Sequence, residues 1–312
     1  MTRLIPAEAQ LPDSVVSGRQ VRLSLGDAVA VVTEVGATLR TYSVGDRDVI
    51  VPFGADELAP GCHGAVLAPW PNRLGDGVYD FDGEHHRLPL SEPERDNAIH
   101  GLVRHERWTI VFASPTAAEF LLDLVPRPGY PFPLRMRMRY ELTANALTVT
   151  LTTTNTGRTR APFGAGFHPW LSPGGFALDD CELEIDAAGW LRTDARLLPI
   201  AYEAVPTVKD FSSARRVGYA RLDDGFTAPE GASRIRLIAP DGSVAEVRAL
   251  QGFGYWQVFT GDGLPGRWLR SGLAAEPMTC PADAFRSGDG LVVLEPGTFH
   301  TCSFALALGR PN

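Results

Sequence analysis

The sequence predicts an all-β fold, a large antiparallel β-sandwich with few short helices. Three observations predict it. Apolar and polar residues alternate at period two in segment after segment. Turn-forming residues are abundant, with 32 glycines and 25 prolines among 312 residues, well above the roughly 12% of an average chain. Helical periodicity is nearly absent. Strands spaced this closely, without crossover helices between them, pair antiparallel and pack as sheets.

The elements follow in order. An apolar run over 29–32 reads as a strand. Asp82-Gly83 marks a hairpin turn, and His85-His86 beside it reads as a solvated strand end. A second apolar run covers 120–124. Over Leu134–Leu142, five apolar residues alternate with Arg135, Arg137, Arg139 and Glu141 in strict register, the pattern of a half-buried strand. Alternation resumes at 147–152, 181–186 and 234–237, punctuated by Asn155-Thr156-Gly157 and Asp241-Gly242. Further runs lie at 255–259 and 291–294. Only 55–58 and 281–285 suggest a turn or two of helix. Length alone suggests about two domains at roughly 150 residues each. Neither a fixed-period repeat nor a low-complexity linker interrupts the chain, so residues 1–312 read as one domain.

Composition narrows the chemistry. The net charge of −8 gives no surface for nucleic acid or an anionic membrane. Lys209 is the only lysine, in the polar stretch 207–213; the other 28 basic residues are arginine. A Schiff-base mechanism therefore rests on one candidate, and a Gly-Lys-Ser/Thr phosphate loop is absent. Cys62, Cys181, Cys280 and Cys302 form no C-x-x-C pair. Residues 1–11 carry no apolar signal core, and no stretch approaches 18 apolar residues. These features point to a cytoplasmic protein with reduced thiols. Gly261-Asp262-Gly263-Leu264-Pro265-Gly266 matches G-x-G-x-x-G, but Pro265 and its polar neighbours open no amphipathic helix, so it reads as a loop. There is no G-x-S-x-G elbow, and Thr109 replaces the second histidine of an H-E-x-x-H site.

Five segments place polar side chains in stiff or apolar settings. In Pro69-Trp70-Pro71-Asn72-Arg73, two prolines stiffen a loop. It is either a surface turn with Arg73 stacked on Trp70, or a support presenting a fork of donors to a polyhydroxy ligand. In Asn97-Ala98-Ile99-His100-Gly101, glycine lets another chain or a ligand approach the ring. The alternative is a satisfied core histidine. In Gly166-Phe167-His168-Pro169-Trp170, proline biases His168 toward an extended backbone. Trp170, like Trp70, is a candidate for stacking on a sugar; His168 is otherwise a buried edge histidine. Asp223-Asp224-Gly225 reads first as a turn. Glu276, alone in Leu273-Ala274-Ala275-Glu276-Pro277-Met278, should be desolvated and its pKa raised, as a general base near neutrality requires. A backbone-bonded strand-end glutamate is the plainer reading. Acids, bases and hydrogen-bonding groups without a nucleophile fit proton transfer.

In this order the motifs resemble the aldose 1-epimerase (mutarotase) family over most of the chain. Pro71-Asn72-Arg73, Asn97-Ala98-Ile99-His100-Gly101, Phe167-His168-Pro169-Trp170, Leu222-Asp223-Asp224-Gly225-Phe226, Trp256-Gln257-Val258-Phe259-Thr260, Ala275-Glu276-Pro277 and Leu294-Glu295-Pro296-Gly297 carry the resemblance. The chain departs from the usual pattern at Ser172, Phe259 and the His-Pro-Trp segment. The resemblance implies a galactose mutarotase-like supersandwich and an isomerase of free aldoses. It implies Glu276 as general base at the C1 hydroxyl, His168 as general acid at the ring oxygen and His100 assisting. Arg73, Asp223, Asn72, Gln257 and Trp170 would bind the sugar. No cofactor or metal is implied, and the partner is a small aldose bound by a monomer or homodimer. A hexose-6-phosphate epimerase would need extra cations, for which Arg104 and Arg107 are candidates. A retaining glycosidase would use Asp223 and Glu276. A carbohydrate-binding protein without catalysis would need only Trp70, Trp170 and Arg73.

Overall fold

The computed structural model describes residues 10–309. The reading of the N-terminal stretch falls almost wholly outside the described residues. Two antiparallel sheets dominate. The larger has nine strands, in the spatial order Thr109–Ala113, Ala117–Leu124, Leu134–Leu142, Leu147–Asn155, Phe299–Gly309, Val244–Gln251, Ser233–Ile238, Glu182–Ile185 and Arg215–Arg216. The second has eight. Its order is Pro199–Glu203, Gly189–Thr193, Asp223–Thr227, Tyr255–Phe259, Leu273–Met278, Gly166–Phe167 and Val66–Leu67, with Trp170–Leu171 also pairing Leu273–Met278. A five-stranded sheet running from Gln10–Ser14 to Arg47–Asp48 precedes them.

The core lies between the two large sheets. Phe167 of the eight-stranded sheet meets Phe304 of the other with ring centroids 4.8 Å apart, and Trp256 Nε1 donates to Ser233 Oγ across the same layer at 2.7 Å. The alternation over Leu134–Leu142 is realised as read: its apolar members are buried and Arg135 and Arg137 are exposed. On that outer face Arg135 pairs with Asp123, and Arg137 and Arg139 both reach Glu119.

Asp82 and Gly83, at φ of 51° and 81°, join two short strands. Positive φ at both central residues matches the twist of a tight hairpin. His85 is exposed, but His86 is buried against Tyr79 and Phe132, contrary to expectation. Consecutive strand residues point to opposite faces, so one of the pair had to turn inward. Asp223-Asp224-Gly225 is likewise strand, not turn. Of the helical candidates, one gives a single helical turn at Ala284–Ser287 and 55–58 only an isolated reverse turn. The 261–266 segment is a loop that runs into a 3-10 turn. Lys209 pairs with Asp224 and lies 5.1 Å from the Trp190 ring, a structural contact. Among the described residues no helix is long and apolar enough to cross a membrane.

Candidate active site

Strand alternation sorts the eight-stranded sheet into two faces. Phe226, Trp256 and Pro277 form one cross-strand row, and the first two are fully buried in the core. One residue along, Gly225, Gln257 and Glu276 form the next row and face the opposite way. Asp223, two residues before Gly225, shares that face. His168 arrives by the same register. Gly166 pairs with Met278 and Trp170 with Ala274, so His168, midway, stands across from Glu276. Their side chains meet, with Nε2 of His168 3.2 Å from Oε1 of Glu276. Residues more than a hundred positions apart are thus brought together by backbone pairing.

The facing wall comes from a two-stranded ribbon in which Arg73 pairs with Ile99. Asn72 and His100 follow the same edge, both in left-handed conformation at φ of 53° and 64°, with the His100 amide donating to the Asn72 carbonyl at 2.9 Å. Gly101, at φ of 67°, has no room for a side chain: a Cβ there would lie 2.0 Å from the Ala68 carbonyl oxygen. The glycine after His100 therefore admits another stretch of chain, one of the two roles its sequence suggested.

Between these walls lies a cavity of about 550 Å³, within the roughly 300–1,000 Å³ of small-molecule sites. Its lining includes Asn72, Arg73, His100, His168, Asp223, Gln257 and Glu276. Burial sets the electrostatics. It pushes the Glu276 carboxyl well above its ordinary value, the Asp223 charge adds to the rise and Arg73 opposes it. Burial also pulls His168 down to about 3, helped by neighbouring His63. His100 is lowered well below its ordinary value by burial and then by His168, Arg104 and Arg73. Asp223 is raised by burial against the opposing Arg73 charge and the Gln257 amide, which donates to it at 2.7 Å. Glu276 Oε2, His168 Nδ1 and His100 Nδ1 are buried without a protein partner.

Several expectations need correction. Trp170 is fully buried, not a sugar platform. One face stacks on His63 at 4.5 Å, His168 lies 5.8 Å from it nearly parallel, and its indole N–H donates to the Gly61 carbonyl. Trp70 packs on Phe285, and neither tryptophan lines the cavity. Phe259 is the aromatic residue that does. Arg73 does not stack on Trp70; its partner is Glu92, at 2.9 Å. Arg104 donates to Cys62 Sγ and Arg107 pairs with Glu34, both outside the lining. The cation on the lining besides Arg73 is Arg95. Sequence reasoning missed Glu92, Cys62 and Leu264. For Glu92 the only signal was a glutamate between Ser91 and Pro93, just before the Asn97 motif. Among the described residues no three His, Cys, Asp or Glu side chains converge as metal ligands would.

The architecture defines a galactose mutarotase-like β-sandwich. It superposes on the GalM/aldose epimerase homologue from C. elegans with a TM-score of 0.84, over 94% of this chain and 99% of that one at 16% identity. With galactose 1-epimerase from Lactobacillus acidophilus NCFM the TM-score is 0.81, over 94% and 95% at 19% identity. Identities that low speak for the fold. Sequence supplies the rest. Residues 19–307 match the profile of the aldose 1-epimerase family. The chain is also 31% identical over 298 residues to the uncharacterized protein YihR of Escherichia coli (strain K12), covering 95% of each. The chain belongs to the aldose 1-epimerase family.

Proposed function

We propose that this protein is a mutarotase that interconverts the α and β anomers of a free hexose by acid–base ring opening and reclosure. The observation that carries the reading is the buried Glu276–His168 pair at 3.2 Å on a cavity wall. Opening a cyclic hemiacetal requires a proton to leave the C1 hydroxyl and another to reach the ring oxygen, two oxygens on the same carbon. A carboxylate and a protonated imidazole side by side match that demand. Glu276 takes the hydroxyl proton and His168 delivers one to the ring oxygen. The C1–C2 bond of the open aldehyde rotates, and reclosure returns both protons.

The proton count explains how a buried pair manages this. Before opening, the pair is carboxylate plus imidazolium; afterwards it is carboxylic acid plus neutral imidazole. Both forms hold one proton. Burial raises Glu276 and lowers His168, so the pair rests as carboxylic acid and imidazole. Transfer of the shared proton along the 3.2 Å contact gives the carboxylate and imidazolium that open the ring, and opening returns the pair to its favoured form. Reclosure runs the roles in reverse. A positioned acid and base contribute about 10²–10⁴-fold, and holding both against one sugar adds an orientation term. His100 assists near the ring oxygen, while Arg73, Asn72, Asp223 and Gln257 hold hydroxyls.

The lining charges favour a neutral sugar over a phosphorylated one. Arg95 already faces Glu92 at 3.0 Å and Glu94 at 3.8 Å, and Arg73 faces Glu92, so neither is an uncompensated phosphate site. The unpaired thiols of Cys62, Cys181, Cys280 and Cys302 fit a reducing, cytoplasmic setting. Polarimetry on fresh α-D-galactose and α-D-glucose beside their 6-phosphates tests the reading. Acceleration of the free sugars is expected. Acceleration of the phosphates alone would assign the hexose-6-phosphate reaction, and sugar binding without acceleration would leave a carbohydrate-binding protein. Release of reducing sugar from an aryl glycoside would make it a glycosidase.

A further inference from the structure

Arg73 is ordered by a set of bonds larger than sugar binding alone would need. Its Nε donates to Glu92 Oε2 at 2.9 Å and its Nη2 to Glu92 Oε1 at 3.0 Å, the paired geometry of guanidinium and carboxylate. Its Nη1 donates to Asn72 Oδ1 at 3.3 Å. A guanidinium has five N–H bonds. These three contacts leave one on each terminal nitrogen, and Asp223 lies 3.8 Å from Nη2.

Glu92 is itself held by two further donors. Asn97, fully buried, donates to its Oε2 at 2.8 Å, and Arg95 donates to its Oε1 at 3.0 Å. Asn97 is anchored in turn to the Arg196 carbonyl at 3.1 Å. Burial alone would raise the Glu92 carboxyl, but bonds from Arg73 and Asn97 and the charges of Arg73 and Arg95 hold it below its ordinary value. With both oxygens engaged in this way, Glu92 has little left to offer a ligand, although it borders the cavity.

We infer that Glu92 is a positioning residue, fixing the Arg73 guanidinium so that its two remaining N–H bonds point at the hydroxyls of the bound sugar. Asn97 and Arg95 in turn hold Glu92 in the orientation Arg73 needs. The inference rests on the mutarotase reading. It makes the Asn-x-x-His-Gly segment serve twice: His100 borders the cavity directly and Asn97 acts two contacts away, through Glu92 and Arg73.

The experiment is a double-mutant cycle on Glu92→Gln, Arg73→Ala and the combined variant, with kcat and KM for α-D-galactose by polarimetry and galactose affinity by calorimetry. Glu92→Gln is expected to raise KM and weaken galactose binding roughly tenfold, the scale of one charge-assisted hydrogen bond, with kcat changed far less. In the Arg73→Ala background the same substitution should change neither KM nor affinity. Glu92→Asp, which keeps the charge, should bind galactose more tightly than Glu92→Gln, and binding no tighter than that would count against the positioning role. Equal losses from Glu92→Gln in both backgrounds would overturn the positioning role. So would a fall in kcat and in folded fraction with KM unchanged, the mark of a purely structural residue. A wild-type protein that neither binds nor interconverts any aldose would defeat the mutarotase reading instead, a result distinct from either.

Discussion

Arginine meets carboxylate on two faces of this molecule with opposite consequences. On the outer face of the nine-stranded sheet, Arg135, Arg137 and Arg139 face Asp123, Glu119 and Glu141 across neighbouring strands or along one strand. At the cavity, Arg73 faces Glu92 and Asp223, with Glu276 in the same space. The residue types are the same, and so is the period-two alternation that delivers most of them. Water makes the difference. Outside, solvent screens each pair and an exposed ion pair contributes little. Inside, loss of water makes each charge costly, so the Glu276 and Asp223 carboxyls rise, while Glu92, bonded by Arg73 and Asn97, stays low. The sheet supplies geometry in both places, and burial shifts the titration of the groups in one.

The sharpest break in that comparison is Glu276→Gln. It keeps the shape, removes the base and should lower kcat for anomer exchange by about 10²–10⁴-fold while galactose binding by calorimetry stays close to wild type. Exchange at near wild-type rate would remove Glu276 from the reaction. Next in size is Gly101→Ala. A methyl group there would meet the Ala68 carbonyl at 2.0 Å on a backbone already at φ of 67°, so thermal unfolding should show a loss of about 2 kcal/mol or more. An unchanged melting curve would mean that the wall carrying His100 yields easily.

The third prediction concerns pH. On the proposed mechanism, exchange requires the Glu276–His168 pair to hold one proton. As pH falls toward about 3, where His168 takes up its own proton, a second one arrives and kcat falls. As pH rises past the elevated Glu276 value, the single proton is lost and kcat falls again. Each limb should approach tenfold per pH unit, read from the enzymatic rate after subtracting spontaneous mutarotation. A profile that falls on the acid side alone would contradict the shared-proton scheme. Smallest is Glu119→Gln on the outer face. Although it weakens contacts to both Arg137 and Arg139, the melting temperature should move by no more than about 2 °C. A larger shift would show that the outer ladder is not merely a solvated face.

Much of the fold was legible because alternation needs no tertiary information. Leu134–Leu142 and Tyr255–Phe259 match their strands residue for residue. Asp223-Asp224-Gly225 misled because its local chemistry says turn, whereas pairing with Tyr255–Phe259 on one side and Gly189–Thr193 on the other holds it extended. Most of the residues put forward for the site do border one cavity. Trp170 does not, since local sequence cannot say which aromatic faces are already covered, here by His63 and His168. Glu92 escaped notice for the converse reason. In Ser91-Glu92-Pro93-Glu94-Arg95 it looks like any hydrophilic loop residue, and only folding brings it against Arg73.

The opposition of His168 and Glu276 across paired strands has a consequence for how such a protein can diversify. Their separation is set by main-chain spacing, which any sequence forming the same ladder preserves. Ile99, Phe259 and Leu264, which border the same space, stand outside that constraint. Substitutions among them can reshape what enters while leaving the distance between the two titrating groups untouched, so on the mutarotase reading new sugar preferences can arise without rebuilding the proton-transfer geometry.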